Sequence, residues 1–230
     1  GGGAAGGAGA ASAVHAYDRK QRLREEFATG VVKFNQNPYK GVEYLSRCGH
    51  FPMEPEPVAA WLHERRDDLD KTQIGELLGK EKDYKGGFGV AVLHAYVEQM
   101  DFEGLRIDEA IRRFLGGFRL PGEAQKIDRM MEKFAERYCL QNAQHKEYAF
   151  ASADTAFILA FAIIMLNTDL HNPNIPEQRK MTKEGFRNQN RGIGAHGANL
   201  DPALLDGIYD AIRAEAFTLK EDDALRAKEG

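Results

Sequence analysis

Cysteine is nearly absent from this 230-residue chain: Cys48 and Cys139 are the only two, and they lie far apart without the spacing of a metal knuckle or a redox pair. That excludes a disulfide scaffold and fits a reducing compartment in which both thiols are buried. Long apolar runs are also missing. The longest, Ala156 to Leu166, falls well short of the about 20 residues a helix needs to cross a bilayer core of ~30 Å, so a soluble chain is expected. There is no initiator methionine and no signal peptide. Residues 1–14, almost all Gly and Ala, read as a linker opening an excised fragment, and Ala4, Ala5 and Gly6 stand where a myristoylation signal wants Ser or Thr. A formal net charge of −4 and a pI near 6.0 speak against binding nucleic acid by phosphate neutralisation. The seven histidines form no His-Glu-x-x-His pair and no partner for a nucleophile elbow, so metalloprotease and serine-hydrolase readings lack their parts. Strand-type alternation and repeats of fixed length are absent too.

What the chain does have is helical spacing. With 43% hydrophobic residues it can bury a substantial core, and one domain is expected. Leu23, Phe27, Val31 and Phe34 mark an amphipathic helix over residues 15–35. Further helices are predicted over 39–48, closed by Gly49; over 58–68, carrying the single tryptophan, Trp61; and over 72–79, capped by Thr72. Three glycines in residues 84–89 invite a phosphate-loop reading, but no Gly-Lys-Ser/Thr ending and no preceding strand support it. Helices follow over 90–100 and 107–118, and another starts at Ala124 with Ile127, Met131, Phe134 and Tyr138 on one face. Ser152 is a cap for AFILAFAIIML, apolar all round and therefore expected to be central and buried, ending at Asn172-Pro173. Residues 182–191 and 202–217 complete roughly ten helices, and 221–230 form a charged tail. The fold class is all-α.

One stretch stands apart from this pattern. In FRLPGEAQKIDR, residues 118–129, Pro121 pushes Leu120 out of the helical region and Gly122 widens the backbone choice, so one helix ends and another starts at once. Glu123 is thereby presented on a stiff mount at a helix N-terminus. On its own, such an acid does no more than favour the helix dipole, by ~0.3–1 kcal/mol. The other acids, Asp128, Asp154 and Asp169, cannot be brought together with it by spacing alone.

FRLPGEAQKIDR with its continuation MMEKFAERYC, then ADTAFILAFAIIMLNTDLHNPNI, then KMTKEGFRNQNRGI, closely resembles the Sec-seven domain, the exchange module for ARF-family GTPases, over roughly residues 15–218. The resemblance implies a right-handed superhelix of helices with a hydrophobic groove and, beside it, a loop carrying one invading glutamate; the domain then occupies 15–220, between the linker and the tail. Glu123 matches that glutamate. Phe157, Phe161, Ile164, Met165 and Asn172 match the groove, and the first four also fall at i, i+4, i+7 and i+8, one helical stripe. Asp128 and Asp169 flank the site, and Gln125 and Lys126 are supporting rather than chemical. The implied partner is a small GTPase of the ARF family, first GDP-bound and then nucleotide-free. No metal, cofactor, nucleic acid or homo-oligomer is implied. The implied activity is nucleotide release without bond chemistry, in vesicle traffic, by a cytoplasmic protein recruited peripherally to Golgi or other endomembranes; a silent interaction scaffold is the alternative. Phe161-Ala162 replaces the Tyr-Ser of brefeldin-sensitive members, whereas Asp169 and Met181 agree with them. In wording, NTDLHNPNIPEQRKMT is more like the large Golgi exchange factors and the bacterial effectors than the small members with a lipid-binding module.

Overall fold

In the computed structural model, which describes residues 6–219, every regular element among the described residues is helical. Helix α1 (Gly6–Gln36) starts at Gly6 rather than at residue 15, so the stretch read as a linker is helical from that point. Alanine is the best helix former, and here it outweighs the about 1 kcal/mol that each glycine costs. Residues 9–25 of α1 are exposed, Leu23 among them, so only Phe27, Val31 and Phe34 of the predicted stripe reach the body. The first five residues and the charged tail of 221–230 lie outside the described residues.

Local chemistry sets the next boundaries. Asn37 caps α2 (Pro38–Arg47), and Gly49 takes a left-handed φ of 84° after it. Helix α3 (Pro55–Arg65) begins earlier than predicted because Pro55 is pre-organised for a first helical turn. In α4 (Lys71–Leu78) the cap is Asp70, not Thr72: its carboxylate accepts from the Thr72 amide at 2.8 Å. The glycines after α4 form a short 3-10 turn with left-handed Lys85 and Gly86, running straight into α5 (Phe88–Glu98). Helix α6 (Ile107–Leu115) stops at Gly116-Gly117, short of Phe118. Ser152 caps α8 (Ala153–His171) as expected, and α7 (Ala124–Gln141), α9 (Lys183–Gln189) and α10 (Pro202–Ala214) follow their predicted positions.

The helices pack as a stack, α1 on α2, α3 on α5, α7 on α8, and α10 on both α8 and α9. Phe114 stacks on Phe134 at 5.3 Å and meets Phe118 edge-on at 5.0 Å, so the aromatic core runs directly under the end of α6. Helix α8 departs from two expectations. By length and a mean hydropathy of 1.5 it is long and apolar enough to cross a bilayer, yet 56% of that window is buried inside the fold, where it packs on α7, α10 and α6. Nor is it wholly buried: Ile158 and Met165 are exposed.

The connection from α6 to α7, residues 116–123, is seated on α4 through backbone contacts. The Arg119 amide donates to the Lys71 carbonyl at 3.0 Å. Its own carbonyl oxygen lies 1.8 Å from where a Cβ on Gly75 would sit, so nothing larger than glycine fits there. Buried Pro121 rests over Gly79, where an added Cβ would meet its ring at 2.9 Å. From the far side Arg129 of α7 donates to the Gly79 and Lys80 carbonyls at 3.1 and 3.2 Å, a cation on the negative end of α4. Gly75→Ala is expected to destabilise the fold by about 3 kcal/mol, read from urea denaturation, since a backbone oxygen cannot swing aside as a side chain can. Gly122→Ala, which meets nothing within 4 Å, should change stability by less than about 0.5 kcal/mol.

Candidate functional site

Glu123 occupies the cap position of α7 with an extended backbone (φ −103°, ψ 161°), yet its side chain caps nothing. Its carboxylate is 69% exposed and meets one cation, the Lys126 ammonium, at 2.5 Å. Lys126 is only 13% exposed: its stem lies against Gly79, in the same seat as Pro121. Gln125 and Asp128 are exposed and make no side-chain hydrogen bond or ion pair among the described residues. The tip of this turn is therefore an acid held out from a well-packed base.

Helices α7 and α8 meet where the Cys139 thiol approaches the Ser152 carbonyl at 3.7 Å, and they pack along one another. Two such helices run antiparallel. The N-terminus of α7, bearing Glu123, and the C-terminus of α8, bearing Asn172, thus lie toward the same end of the pair. Phe157 and Phe161 pack together at 5.0 Å and are half-buried, as is Ile164, while Met165 is 61% exposed. Ile158, 47% exposed, adds to the apolar surface of α8 and was not anticipated. A run that is apolar all round carries no periodic signal to tell its covered side from its open one.

Asn172 ends α8, and its side-chain oxygen accepts from the Asn174 amide at 2.9 Å to form the turn that follows. Asp169 accepts from the Met181 amide at 2.6 Å and so fastens the segment after Asn172 back onto α8. The Tyr209 hydroxyl donates to the Met181 carbonyl at 2.7 Å from the other side. Asp169 is thus occupied in holding the frame. The seat residues Gly75, Gly79, Arg119 and Arg129 were missed; the one legible hint was a pair of glycines in and after a helical pattern, each costly unless packing requires it.

Elsewhere the described residues contain no cluster of three or more His, Cys, Asp or Glu able to hold a metal. Both cysteines are free and half-buried rather than fully buried, and burial pushes the Cys139 thiol up to about 11. A cavity of ≈ 390 Å³ between α9 and α10 is lined by Glu184, Arg187, Asn190 and Arg191 and includes no residue of the α8 stripe.

Residues 23–217 match the model of the Sec7 domain. The chain is 44% identical to "Brefeldin A-inhibited guanine nucleotide-exchange protein 2" of Arabidopsis thaliana over 94% of its own length and 11% of that protein's. It is 46% identical to cytohesin-2 of Homo sapiens over 88% of its length and 48% of that protein's, so identity does not separate the larger relatives from the smaller. The chain spans about half or less of the length of these curated relatives. Among solved structures, an ARF1-GDP-bound Sec7 domain complexed with brefeldin A is similar with a TM-score of 0.77 at 33% identity, covering 89% of this chain and 98% of that one. With a seated turn projecting Glu123, an apolar α8 beside it and a family match across both, the chain belongs to the Sec7 domain family.

Proposed function

We propose that the chain is a guanine-nucleotide exchange module for ARF-type small GTPases and that Glu123 is its exchange residue. The observation that carries this reading is an exposed carboxylate at the tip of a turn whose backbone is packed against α4. The Arabidopsis relative supports it, being a guanine nucleotide-exchange protein by name, as does the solved neighbour, whose Sec7 domain is bound to ARF1-GDP.

The mechanism is charge delivered to a place that already holds charge. A carboxylate 4 Å from a phosphate oxygen is repelled by ~1 kcal/mol in water and by ~4 kcal/mol at the effective dielectric of a protein surface. The same carboxylate offers a new partner to a lysine that had bound the phosphate, so that cation is not stranded when GDP leaves. The α8 face of Phe157, Phe161, Ile164 and Met165 receives mobile apolar segments of the GTPase, and Asn172 borders that contact. The module binds the nucleotide-free state better than the GDP state, and by linkage that difference lowers nucleotide affinity; GTP then displaces the module. Membrane recruitment to Golgi or other endomembranes, from the cytoplasmic side, runs through the GTPase or through segments beyond this one.

Glu123→Lys should keep the fold and abolish release of fluorescent GDP from an ARF-type GTPase at catalytic amounts of the chain; near-normal release would sink the mechanism. Met165→Ala removes the most exposed apolar side chain of the stripe and is expected to lower kcat/KM roughly tenfold, in line with ~1.5 kcal/mol of lost burial. Brefeldin should inhibit weakly, because Phe161-Ala162 lacks both hydroxyls of the sensitive Tyr-Ser pair; a potent block of exchange by the compound would contradict this.

A further inference from the structure

By sequence Lys126 is a supporting residue, and its surroundings are unlike those of a solvated surface charge. Ion pairs at protein surfaces are usually weak because two mobile side chains must be held together. Here one partner is already packed: the Lys126 stem lies over Gly79 beside Pro121, with only 13% of the side chain exposed. The other cation in the first two turns of α7, Arg129, is occupied by the Gly79 and Lys80 carbonyls and by Glu81 at 3.3 Å. The Glu123 carboxylate accepts no hydrogen bond from the amides of the helix start, and the Lys126 ammonium is its ion-pair partner among the described residues.

We propose that Lys126 is a positioning residue, holding the Glu123 carboxylate in its projecting orientation before a partner arrives, so that exchange depends on Lys126 through Glu123. This rests on the reading of Glu123 as the exchange residue. The physical gain is pre-organisation: a long acidic side chain that already occupies one rotamer need not be ordered at the moment of insertion. Because the ammonium sits on a packed stem, it also sets a fixed distance from the α4 seat to the acid.

Lys126→Met keeps most of the stem and removes the charge. It is expected to lower the saturating exchange rate about tenfold with KM changed less than twofold, while Lys126→Arg recovers most of the loss. In a Glu123→Ala background the Met substitution should have no further effect on residual release, a non-additivity that a general structural role does not produce. Carbon NMR of the Glu123 side chain, recorded without any GTPase, should show one rotamer in the wild type and averaging in the Met variant. An unchanged rate, a rise in KM alone, additive losses in the cycle, or equal averaging in both proteins would each overturn the proposal. If the wild-type chain released no GDP while its rotamer stayed locked, the exchange reading would fail and with it the catalytic half of this one.

Discussion

The approach of the Arg119 carbonyl to Gly75 is the contact on which the rest of the site depends. Backbone lies on backbone there, with no side chain between them to adjust. The glutamate turn consequently takes its position from the axis of α4 as well as from the buried end of α6. Pro121 over Gly79 repeats the arrangement one turn along, and Arg129 closes it from α7 by bonding the Gly79 and Lys80 carbonyls just past α4. A single guanidinium, placed at the negative end of α4, thus ties α7 to the segment that follows α4.

Within the first two turns of α7 the two cations have different duties. Arg129 faces inward to the end of α4, and Lys126 faces outward to Glu123. The same separation recurs at the end of α8, where Asp169 holds the following segment through the Met181 amide and Asn172 shapes the turn. In both places one polar residue ties neighbouring segments together, and another a few positions away serves the turn beside it.

Much of this was legible in the chain. Helical spacing placed the elements, and the Pro-Gly break placed an exposed acid, because both are local effects of backbone geometry. Caps were readable where one candidate stood alone, as at Ser152, and misread where Asp70 and Thr72 compete two residues apart; the stronger acceptor just outside the helix took the cap. The seat was not legible. That Gly75 exists because Arg119, far along the chain, needs its space is a tertiary fact with no periodic trace. The open side of α8 was hidden for a related reason: Ile158 and Ile163 are alike in sequence, and only packing against neighbouring helices buries the second and exposes the first. The motifs of the Sec-seven resemblance supplied the GTPase, which residue physics alone did not reach.

On the proposed reading, a rigid seat and an apolar face are two halves of one requirement. Repulsion between a carboxylate and a phosphate falls with distance, and a side chain on a flexible loop would simply back away from it. Exchange then needs a mount that does not yield and a second source of binding free energy to hold the partner against that repulsion. Burying one large apolar side chain contributes ~1.5–3 kcal/mol, so two or three residues of the α8 stripe suffice to offset ~4 kcal/mol of like-charge contact. Neither half works without the other. The stripe without the acid gives a complex that keeps its nucleotide, and the acid without the stripe never stays close enough to repel it.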